Sequence, residues 1–384
     1  MNKSYDAVVI GAGVFGAWTA LHLRNSGRSV ALLDAYGAAN SRASSGGETR
    51  ILRMGYGSDE IYTRWAMRSL ELWIALFDRV KRPELFQNVG VLWTPTPGHP
   101  REVSTLADFD NCGVAHRRLT SSDLARCYPQ LRFREERVGI LETHAGVLLA
   151  RRAVRAVVEE AVAKGVEYSL DAVLPVAGAH AKSPEVKTSC GDALSAGLAV
   201  YCCGPWLPKV FPEVLGGRVR ATRQEIFFFG TPAGDRSFTA PNMPAWTDIT
   251  DEHSAYTIPD VESRGFKLAF DKHGPEFDPD TGDRLARGLA DARTFMAERF
   301  PALATAPLVE SRVCQYENTS TGDFLIDRHP DFGNVWLVGG GSGHGFKHGP
   351  AVGEHACALI DGRVTAEPRF SLESKAREQN RSVF

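Results

Sequence analysis

The chain has 384 residues, 43% of them hydrophobic, which is enough to bury a substantial core in one large or two interleaved domains. Its formal net charge is -2, and no long run of lysine or arginine could follow a phosphate backbone, so nucleic acid is not an expected partner. The longest apolar stretch, 193–203, is far shorter than the roughly 20 residues that cross a bilayer, so no membrane-spanning helix is expected.

The first 34 residues predict a βαβ unit. A short buried strand is expected over 5–10, a helix over 14–26 and a second buried strand over 29–34. This order of strand, glycine turn, helix and strand implies a parallel sheet covered by helices. The first domain is therefore of the α/β class.

The rest of the chain alternates between two patterns. An amphipathic helix is expected over 148–164 and another buried parallel strand over 198–204. Between 85 and 144, and again between 218 and 300, alternating strands such as EIFFFG and GFKLAF indicate one antiparallel domain inserted twice. After residue 300, VWLVGGG and AVGEHACALI return to a strand and a helix.

A nucleotide-binding motif follows the first strand. Gly11, Gly13 and Gly16 form GxGxxG at the start of the first helix. The first glycine allows a tight turn, the second lets a pyrophosphate approach the backbone, and the third permits close packing of helix on strand. Asp34 ends the second strand, where its carboxylate can accept a hydrogen bond from a ribose hydroxyl. This context predicts a bound dinucleotide without deciding between FAD and NAD.

The segment 44–57, SSGGETRILRMGYG, carries two arginines, Arg50 and Arg53. If a helix begins at ETRILR, these arginines lie three residues apart on one face and can point at a single anionic region. A solvated helix face is the alternative interpretation.

The seven cysteines are an odd number, scattered without CxxC spacing or companion histidines. This pattern argues against a disulfide scaffold and against a metal site, and it favours the reducing cytoplasm. Most of the cysteines are expected to be small buried hydrophobic residues.

Five motifs give the chain a resemblance that runs nearly from end to end: GAGVFG with Asp34, GGETRILR, GFKLAF, CQYENTSTGDFLID and GGGSGHGFKHGPAVGE. On these motifs the chain resembles the monomeric sarcosine oxidase and N-methyltryptophan oxidase family of covalent flavoproteins. The resemblance implies FAD and a glutathione-reductase-like FAD-binding Rossmann domain with an inserted antiparallel-sheet substrate domain. The FAD-binding segments are then 1–84, 145–217 and 301–384, and the substrate-binding segments are 85–144 and 218–300.

Cys314 is the position to which the resemblance gives the most specific role. The matching cysteine of the family is joined through sulfur to the 8α-methyl group of the flavin, so covalent FAD is expected here. Side chains alternate in a strand, which places Cys314 and Tyr316 on one face, with Tyr316 over the flavin ring. Without the motif, a lone cysteine would be interpreted as a buried apolar residue.

Lys267 lies in the strand motif GFKLAF, where it alternates with Phe266 and Leu268. Its side chain and that of Asp271 are therefore expected on the opposite face of the strand. The resemblance places Lys267 near flavin N5, where a fixed positive charge assists the reaction with O2 by stabilising superoxide character. An exposed lysine is the alternative interpretation.

The resemblance also implies a substrate site. The family residues that match Arg53 and Lys347 hold the substrate carboxylate, and the one that matches Arg50 lies beside the flavin. Tyr256 matches an active-site tyrosine, with a structural role equally open. The expected cofactor-binding set is Gly11, Gly13, Gly16, Asp34, Ser44, Cys314, Gly343, Gly345 and Lys347.

Two positions depart from the family pattern and leave the substrate open. Asp271 replaces the family histidine beside the amine, and Gly46 replaces the histidine before the arginine segment. An aspartate could accept a hydrogen bond from an ammonium group or face a basic side chain, whereas a histidine could act as a base. His344 and His348 are interpreted as polar groups of a loop.

The sequence therefore predicts a cytoplasmic, monomeric, FAD-dependent oxidase of a small secondary amino acid, N-alkyl or cyclic, or of a related amine. The expected products are an imine and hydrogen peroxide, with O2 as the electron acceptor. One alternative is a flavin dehydrogenase that passes electrons to a quinone or a carrier, and another is a flavin-binding protein without turnover. An NAD-dependent dehydrogenase is disfavoured, because NAD chemistry does not require Cys314.

Overall fold

The computed structural model describes residues 3–174, 185–249, 254–272 and 274–377. Within these ranges the α-helices are α1 (Val14–Asn25), α2 (Glu60–Arg79), α3 (Pro100–Cys112), α4 (Ser121–Cys127), α5 (Ala150–Ala163), α6 (Leu207–Val210), α7 (Pro212–Leu215), α8 (Leu289–Arg299) and α9 (Gly349–Ile360). The strands of the same ranges are β1 (Ser4–Ile10), β2 (Val30–Asp34), β3 (Arg50–Leu52), β4 (Phe86–Gln87), β5 (Val91–Trp93), β6 (His116–Leu119), β7 (Gly139–Glu142), β8 (Gly146–Leu148), β9 (Glu167–Leu170), β10 (Glu185–Lys187), β11 (Ala193–Tyr201), β12 (Val219–Phe229), β13 (Ala245–Ile249), β14 (Ser254–Ile258), β15 (Phe266–Phe270), β16 (Leu308–Thr319), β17 (Leu325–Arg328) and β18 (Val335–Gly339). None of these helices is long and apolar enough to cross a membrane.

The first sheet has the strand order β17-β18-β11-β1-β2-β9, with β10 added alongside β11. Strand β1 pairs in parallel with both β2 and β11. It is buried on both faces, because Val9 packs in the core with helix α1 while Val8 packs in the core with α6 and α7. Burial on both faces explains the continuous apolar run of β1. The predicted βαβ unit and parallel sheet are confirmed.

The second sheet has the order β16-β12-β15-β14-β13-β5-β7-β6 and is antiparallel except between β13 and β5. It contains strands from both of the predicted blocks, 85–144 and 218–300. Strand β16 also belongs to it, although the prediction assigned all of 301–384 to the FAD-binding domain. The reason is that β16 pairs antiparallel with β12 over nearly its whole length, from Leu308 to Thr319. The segment 301–384 therefore contributes to both sheets.

The third sheet, β3-β8-β4, corrects the prediction for the arginine segment. Residues 50–52 form a strand rather than the start of a helix, and Arg50 pairs with Leu148 of β8. This pairing supplies the hydrogen bonds that a local helix would otherwise have made, so tertiary contacts override the short local pattern. Arg50 lies within the strand and Arg53 follows its end, so the two arginines do not share a helical face.

Candidate active site

A cavity of about 290 Å³ lies between the glycine turn after β1 and strand β16. Of the predicted cofactor-binding residues, those that line it are Gly11, Gly13, Asp34, Ser44, Cys314, Gly343 and Gly345. Gly16 instead packs inside the turn, and Lys347 lines a second, adjoining cavity. The structure therefore brings seven of the nine expected residues together in the wall of one cavity.

Two of the three glycines of the turn, Gly11 and Gly16, have no room for a side chain. Gly11 has a φ of 101°, and a Cβ atom there would lie 2.3 Å from the carbonyl oxygen of Cys202. At Gly16 a Cβ atom would lie 1.8 Å from the carbonyl oxygen of Gly11. Gly13 is the N-cap residue of α1, so the turn presents the N–H groups and the positive end of this helix to the cavity. That arrangement suits a pyrophosphate.

Asp34 closes the same turn from the end of β2. Its carboxylate accepts hydrogen bonds from the backbone N–H of Ala12 at 2.7 Å and of Tyr36 at 2.9 Å. Burial raises the pKa of Asp34, and these two hydrogen bonds oppose the rise. Because the carboxylate also lines the cavity, it remains available to a ribose hydroxyl.

Three residues in the wall of the cavity carry a buried polar atom that has no hydrogen-bond partner among the described residues. The atoms are Ser44 Oγ, Gln315 Oε1 and Glu317 Oε1. Burying a polar atom without a partner costs free energy, so such atoms mark places where a ligand completes the hydrogen bonding. Together with the glycine turn and Asp34, they make the residues present a good fit to FAD.

The sequence analysis missed Glu317. Its carboxyl group lies against the loop after β18, where the N–H groups of Gly340 and Gly341 donate to it. A Cβ atom at Gly339 would lie 2.5 Å from its Oε1 atom. Burial raises the pKa of Glu317 to about 7 despite these donors. The available signal was the GGG run at 339–341, since consecutive glycines mark a close approach of another group.

We expect Glu317→Gln to stabilise the flavin-free protein at neutral pH. The carboxyl of Glu317 has a pKa near 7 when folded and an ordinary value of 4.5. The protonated carboxyl therefore contributes fully to the free energy of unfolding below about pH 4.5. As the pH rises to 7 this contribution is lost, which lowers the free energy of unfolding by on the order of 3 kcal/mol. Urea unfolding of both proteins between pH 4.5 and 8 measures this. The advantage of the variant should grow up to pH 7 and then level off, and an advantage that shrinks with rising pH would contradict the assignment.

A smaller cavity of about 80 Å³ adjoins the first one. The residues that line both cavities are Arg50, Cys314, Tyr316, Gly343 and Phe346. The smaller cavity is also lined by the predicted substrate and catalytic residues Arg53, Tyr256, Asp271 and Lys347. A small molecule in it would lie directly beside the part of the cofactor cavity that Cys314 marks.

Two cations face this smaller cavity. Lys347 lies in a single 3-10 turn, 346–348, immediately before α9, and its side chain is buried. Arg53 follows β3, and its guanidinium donates to the carbonyl oxygen of Gly55. Burial, and next the charge of Arg53, lower the pKa of Lys347 well below its usual range, while Asp271 opposes that shift. An anionic ligand group would relieve the repulsion between the two cations.

Glu142, also missed by the sequence analysis, holds the loop that carries Arg53. This buried carboxylate accepts from the N–H of Met54 at 2.6 Å, from that of Gly55 at 3.2 Å and from the indole of Trp93 at 2.6 Å. Burial raises its pKa, and the three donors oppose the rise. The loop after β3 is thus fixed on the antiparallel sheet.

Asp271 is the one predicted acidic residue of the smaller cavity. The hydroxyl of Tyr316 donates to its Oδ1 atom at 3.0 Å. Burial raises the pKa of Asp271 to about 6, and the Tyr316 hydrogen bond and the charges of Arg53 and Lys347 oppose the rise. Tyr256 lines the cavity nearby, and burial raises its pKa. Positive and negative groups therefore face each other across a small space.

Lys267 is buried behind this cavity rather than in its wall. Its ammonium donates to the carbonyl oxygen of Thr49 at 3.0 Å and lies 5.3 Å from the centroid of the Tyr256 ring. Lys267 is not among the described residues that line either cavity. Burial and then Arg50 lower its pKa well below the usual range. As the alternation in β15 predicted, Phe266 belongs to the separate core of the antiparallel domain.

Arg50 connects the arginine segment to Cys314. One guanidinium nitrogen donates to the carbonyl oxygen of Ser44 at 2.6 Å and lies 3.6 Å from the Sγ atom of Cys314. Another donates to the carbonyl oxygen of Thr49 at 2.9 Å. Arg50 therefore places a positive charge beside the sulfur of Cys314.

The structure explains the glycine at position 46 and corrects the interpretation of the two loop histidines. A Cβ atom at Gly46 would lie 1.9 Å from the carbonyl oxygen of Asn40, so no histidine fits there. His344 and His348, expected as polar groups of a loop, are instead buried and both hydrogen-bond the hydroxyl of Tyr56. His344 lines the smaller cavity, whereas His348 is not among the described residues that line it.

Comparison with known proteins identifies the family of the chain. The family model described as FAD dependent oxidoreductase matches residues 6–359. Monomeric sarcosine oxidase of Arthrobacter sp. (strain TE1826) is 28% identical over 394 residues and covers 100% of both chains. N-methyl-L-tryptophan oxidase of Citrobacter koseri is 26% identical, with 96% of this chain and 97% of that protein covered. The resemblance read from the motifs is therefore confirmed.

A solved structure shows the same architecture. L-proline dehydrogenase from P. horikoshii superposes with a TM-score of 0.82 at 20% identity, covering 97% of this chain and 98% of that one. This likeness confirms the predicted fold class, a parallel nucleotide-binding sheet combined with an antiparallel sheet. Since the family model spans nearly the whole sequence, FAD is the cofactor and the chain belongs to the FAD dependent oxidoreductase family.

Proposed function

We propose that this protein is an oxidase of small secondary amino acids, N-alkyl or cyclic, that acts as a monomer in the cytoplasm. The observation that carries the proposal is the smaller cavity, in which the half-buried Arg53 and the buried Lys347 line the same space as the carboxylate of Asp271, next to the cofactor cavity. Relatives named as oxidases of sarcosine and N-methyltryptophan support an N-alkyl amino acid as substrate. The volume of about 80 Å³ favours a small one.

Arg53 and Lys347 hold the substrate carboxylate in this proposal. Both are cations of the cavity wall, and a carboxylate between them gains two charge-assisted hydrogen bonds. It also offsets the charge of Arg53, which is the next cause after burial of the lowered pKa of Lys347. Amines without the acid group gain none of this and are expected to bind poorly.

Asp271 receives the other end of the substrate. With a pKa raised to about 6, it is ionised at neutral pH and can accept a hydrogen bond from the substrate amine. Tyr316 fixes one of its oxygens through the 3.0 Å hydrogen bond. The cations bind the carboxylate end of the substrate and Asp271 binds its amine, so the two contacts together orient the carbon–nitrogen bond relative to the cofactor.

Bound FAD supplies the redox chemistry, taking two electrons from the carbon–nitrogen bond and passing them to O2 to give hydrogen peroxide. The chain's own residues orient the substrate and exclude water from the small cavity. The imine that forms is hydrolysed by water to an amine and an aldehyde or keto acid. Lys267 provides the positive charge that assists the reaction with O2, and Cys314 holds the cofactor covalently.

The test is anaerobic flavin reduction by paired compounds, each amino acid against its decarboxylated amine. We expect the acids to reduce the wild-type flavin and the amines to do so poorly. Losing a charged hydrogen bond in a buried site costs roughly 1.5 to 3 kcal/mol, so Arg53→Ala or Lys347→Ala should weaken acid binding about ten- to a hundredfold. Amines that reduce the wild type as readily as the acids would remove the carboxylate-binding role. Peroxide formation in air then separates an oxidase from a dehydrogenase.

A further inference from the structure

The ring of Tyr56 lies beside both carboxylate-binding cations. Tyr56 follows β3 closely and its side chain is buried. The guanidinium carbon of Arg53 is 4.6 Å from the centroid of this ring, and the ammonium of Lys347 is 5.0 Å from it. Two cations from opposite ends of the sequence thus contact one aromatic side chain.

This contact opposes a repulsion. Lys347 is buried and Arg53 is half-buried beside it, and burial first and then the charge of Arg53 lower the pKa of Lys347. The face of an aromatic ring carries negative potential, which attracts cations most strongly when they are desolvated. Tyr56 therefore stabilises the two charges together before any substrate carboxylate arrives.

The hydroxyl of Tyr56 is fixed by the histidines on either side of Lys347. It lies 3.0 Å from Nδ1 of His344 and 2.7 Å from Nε2 of His348. The other ring nitrogen of His344, Nε2, is 3.0 Å from the carbonyl oxygen of Gly322. A carbonyl can only accept, so Nε2 of His344 carries the proton and its Nδ1 accepts from the Tyr56 hydroxyl.

The same logic completes the chain of hydrogen bonds. The Tyr56 hydroxyl has one hydrogen, and it donates that hydrogen bond to His344. The Tyr56 oxygen therefore accepts the second hydrogen bond, which Nε2 of His348 donates. Burial, and next the charge of Lys347, lower the pKa of His348 well below its usual range, so this ring is neutral. Its Nδ1 atom then carries no proton, which agrees with its having no partner in the described part of the chain. The ring of Tyr56 is thus held in one orientation.

We propose that Tyr56 is a positioning residue that sets Arg53 and Lys347 as a pair for the substrate carboxylate, through its ring face and its anchored hydroxyl. The inference rests on the proposed function, which gives that pair its ligand. Tyr56 does not touch the reacting atoms in this account. Its loss should therefore weaken binding of the carboxylate more than it slows the limiting rate of flavin reduction.

The experiment titrates the flavin-loaded protein with acetate, a carboxylate that cannot reduce flavin, and follows the flavin absorbance. Tyr56→Phe keeps the ring but loses the hydroxyl, and we expect the Kd to rise roughly three- to tenfold. Tyr56→Leu also loses the ring face, and the Kd should rise about 30- to 100-fold. In both variants the anaerobic reduction rate at saturating substrate should stay within about twofold of wild type, since no reacting group has changed.

Tyr62→Phe is the matched control. Its ring stacks on that of Tyr56 with centroids 5.2 Å apart, and its hydroxyl donates to Asp323 at 2.9 Å, away from both cations. It should leave the Kd for acetate unchanged. A Tyr56→Phe protein with the wild-type Kd overturns the inference, even if Tyr56→Leu fails to fold. A wild type that binds no acetate and accepts decarboxylated amines instead overturns the proposed function itself.

Discussion

Cys314→Ser is expected to change a protein that stays yellow after acid precipitation into one whose pellet is colourless. A thioether survives denaturation, whereas FAD held only by non-covalent contacts is released. Cys314 lines the junction of the two cavities, with the guanidinium of Arg50 3.6 Å from its Sγ atom. Cys314→Ser should abolish covalent retention of the flavin completely, which is the largest effect that a single substitution should produce here.

Cys203→Ser is the control for this experiment. Cys203 lines the same cavity, but burial raises the pKa of its thiol well above the usual value, so the reactive thiolate is disfavoured. Its pellet should stay yellow. The absorbance of the pellet and the mass of the intact denatured chain measure both variants. A wild-type chain that lacks the mass of FAD after full flavin loading would rule out covalent attachment.

Lys267→Met is expected to slow reoxidation of the reduced flavin by O2 about a hundredfold, which corresponds to on the order of 3 kcal/mol for one preorganised charge. Burial and Arg50 lower the pKa of Lys267, so the cofactor-free protein disfavours its charged form. Negative charge arriving nearby during reduction favours the protonated lysine, and a charge in a water-poor place acts over several ångströms. Contact with the cavity wall is therefore unnecessary.

Stopped-flow measurement of the two half-reactions tests this prediction. Anaerobic reduction by substrate should change much less than reoxidation. Lys375→Met is the matched control, because Lys375 is also buried, with its pKa lowered by burial to about 8, but lines neither of the two cavities among the described residues. Equal losses in both half-reactions of Lys267→Met would give the lysine a general structural role instead.

The sequence by itself determined the features that depend on local spacing. GxGxxG between a strand and a helix requires a turn that only glycines fit, and Gly11 and Gly16 have no room for a Cβ atom. The period of two in β15 placed Lys267 apart from the phenylalanines. The same period in β16 set Cys314 and Tyr316 together in the wall of the smaller cavity, which Gln315 and Glu317 do not line. These features follow from neighbours a few residues away, so the sequence carries them directly.

Tertiary structure decided the features that depend on distant partners. Pairing with β8 made the arginine segment a strand, although its local pattern also allowed a helix. The carbonyl of Asn40 fills the place of a side chain at Gly46, and the GGG run after β18 leaves room for the carboxyl of Glu317. Tyr56 contacts both Arg53 and Lys347 only because β3 packs beside the turn before α9. Burial and long-range contacts set these environments, and no local spacing encodes them.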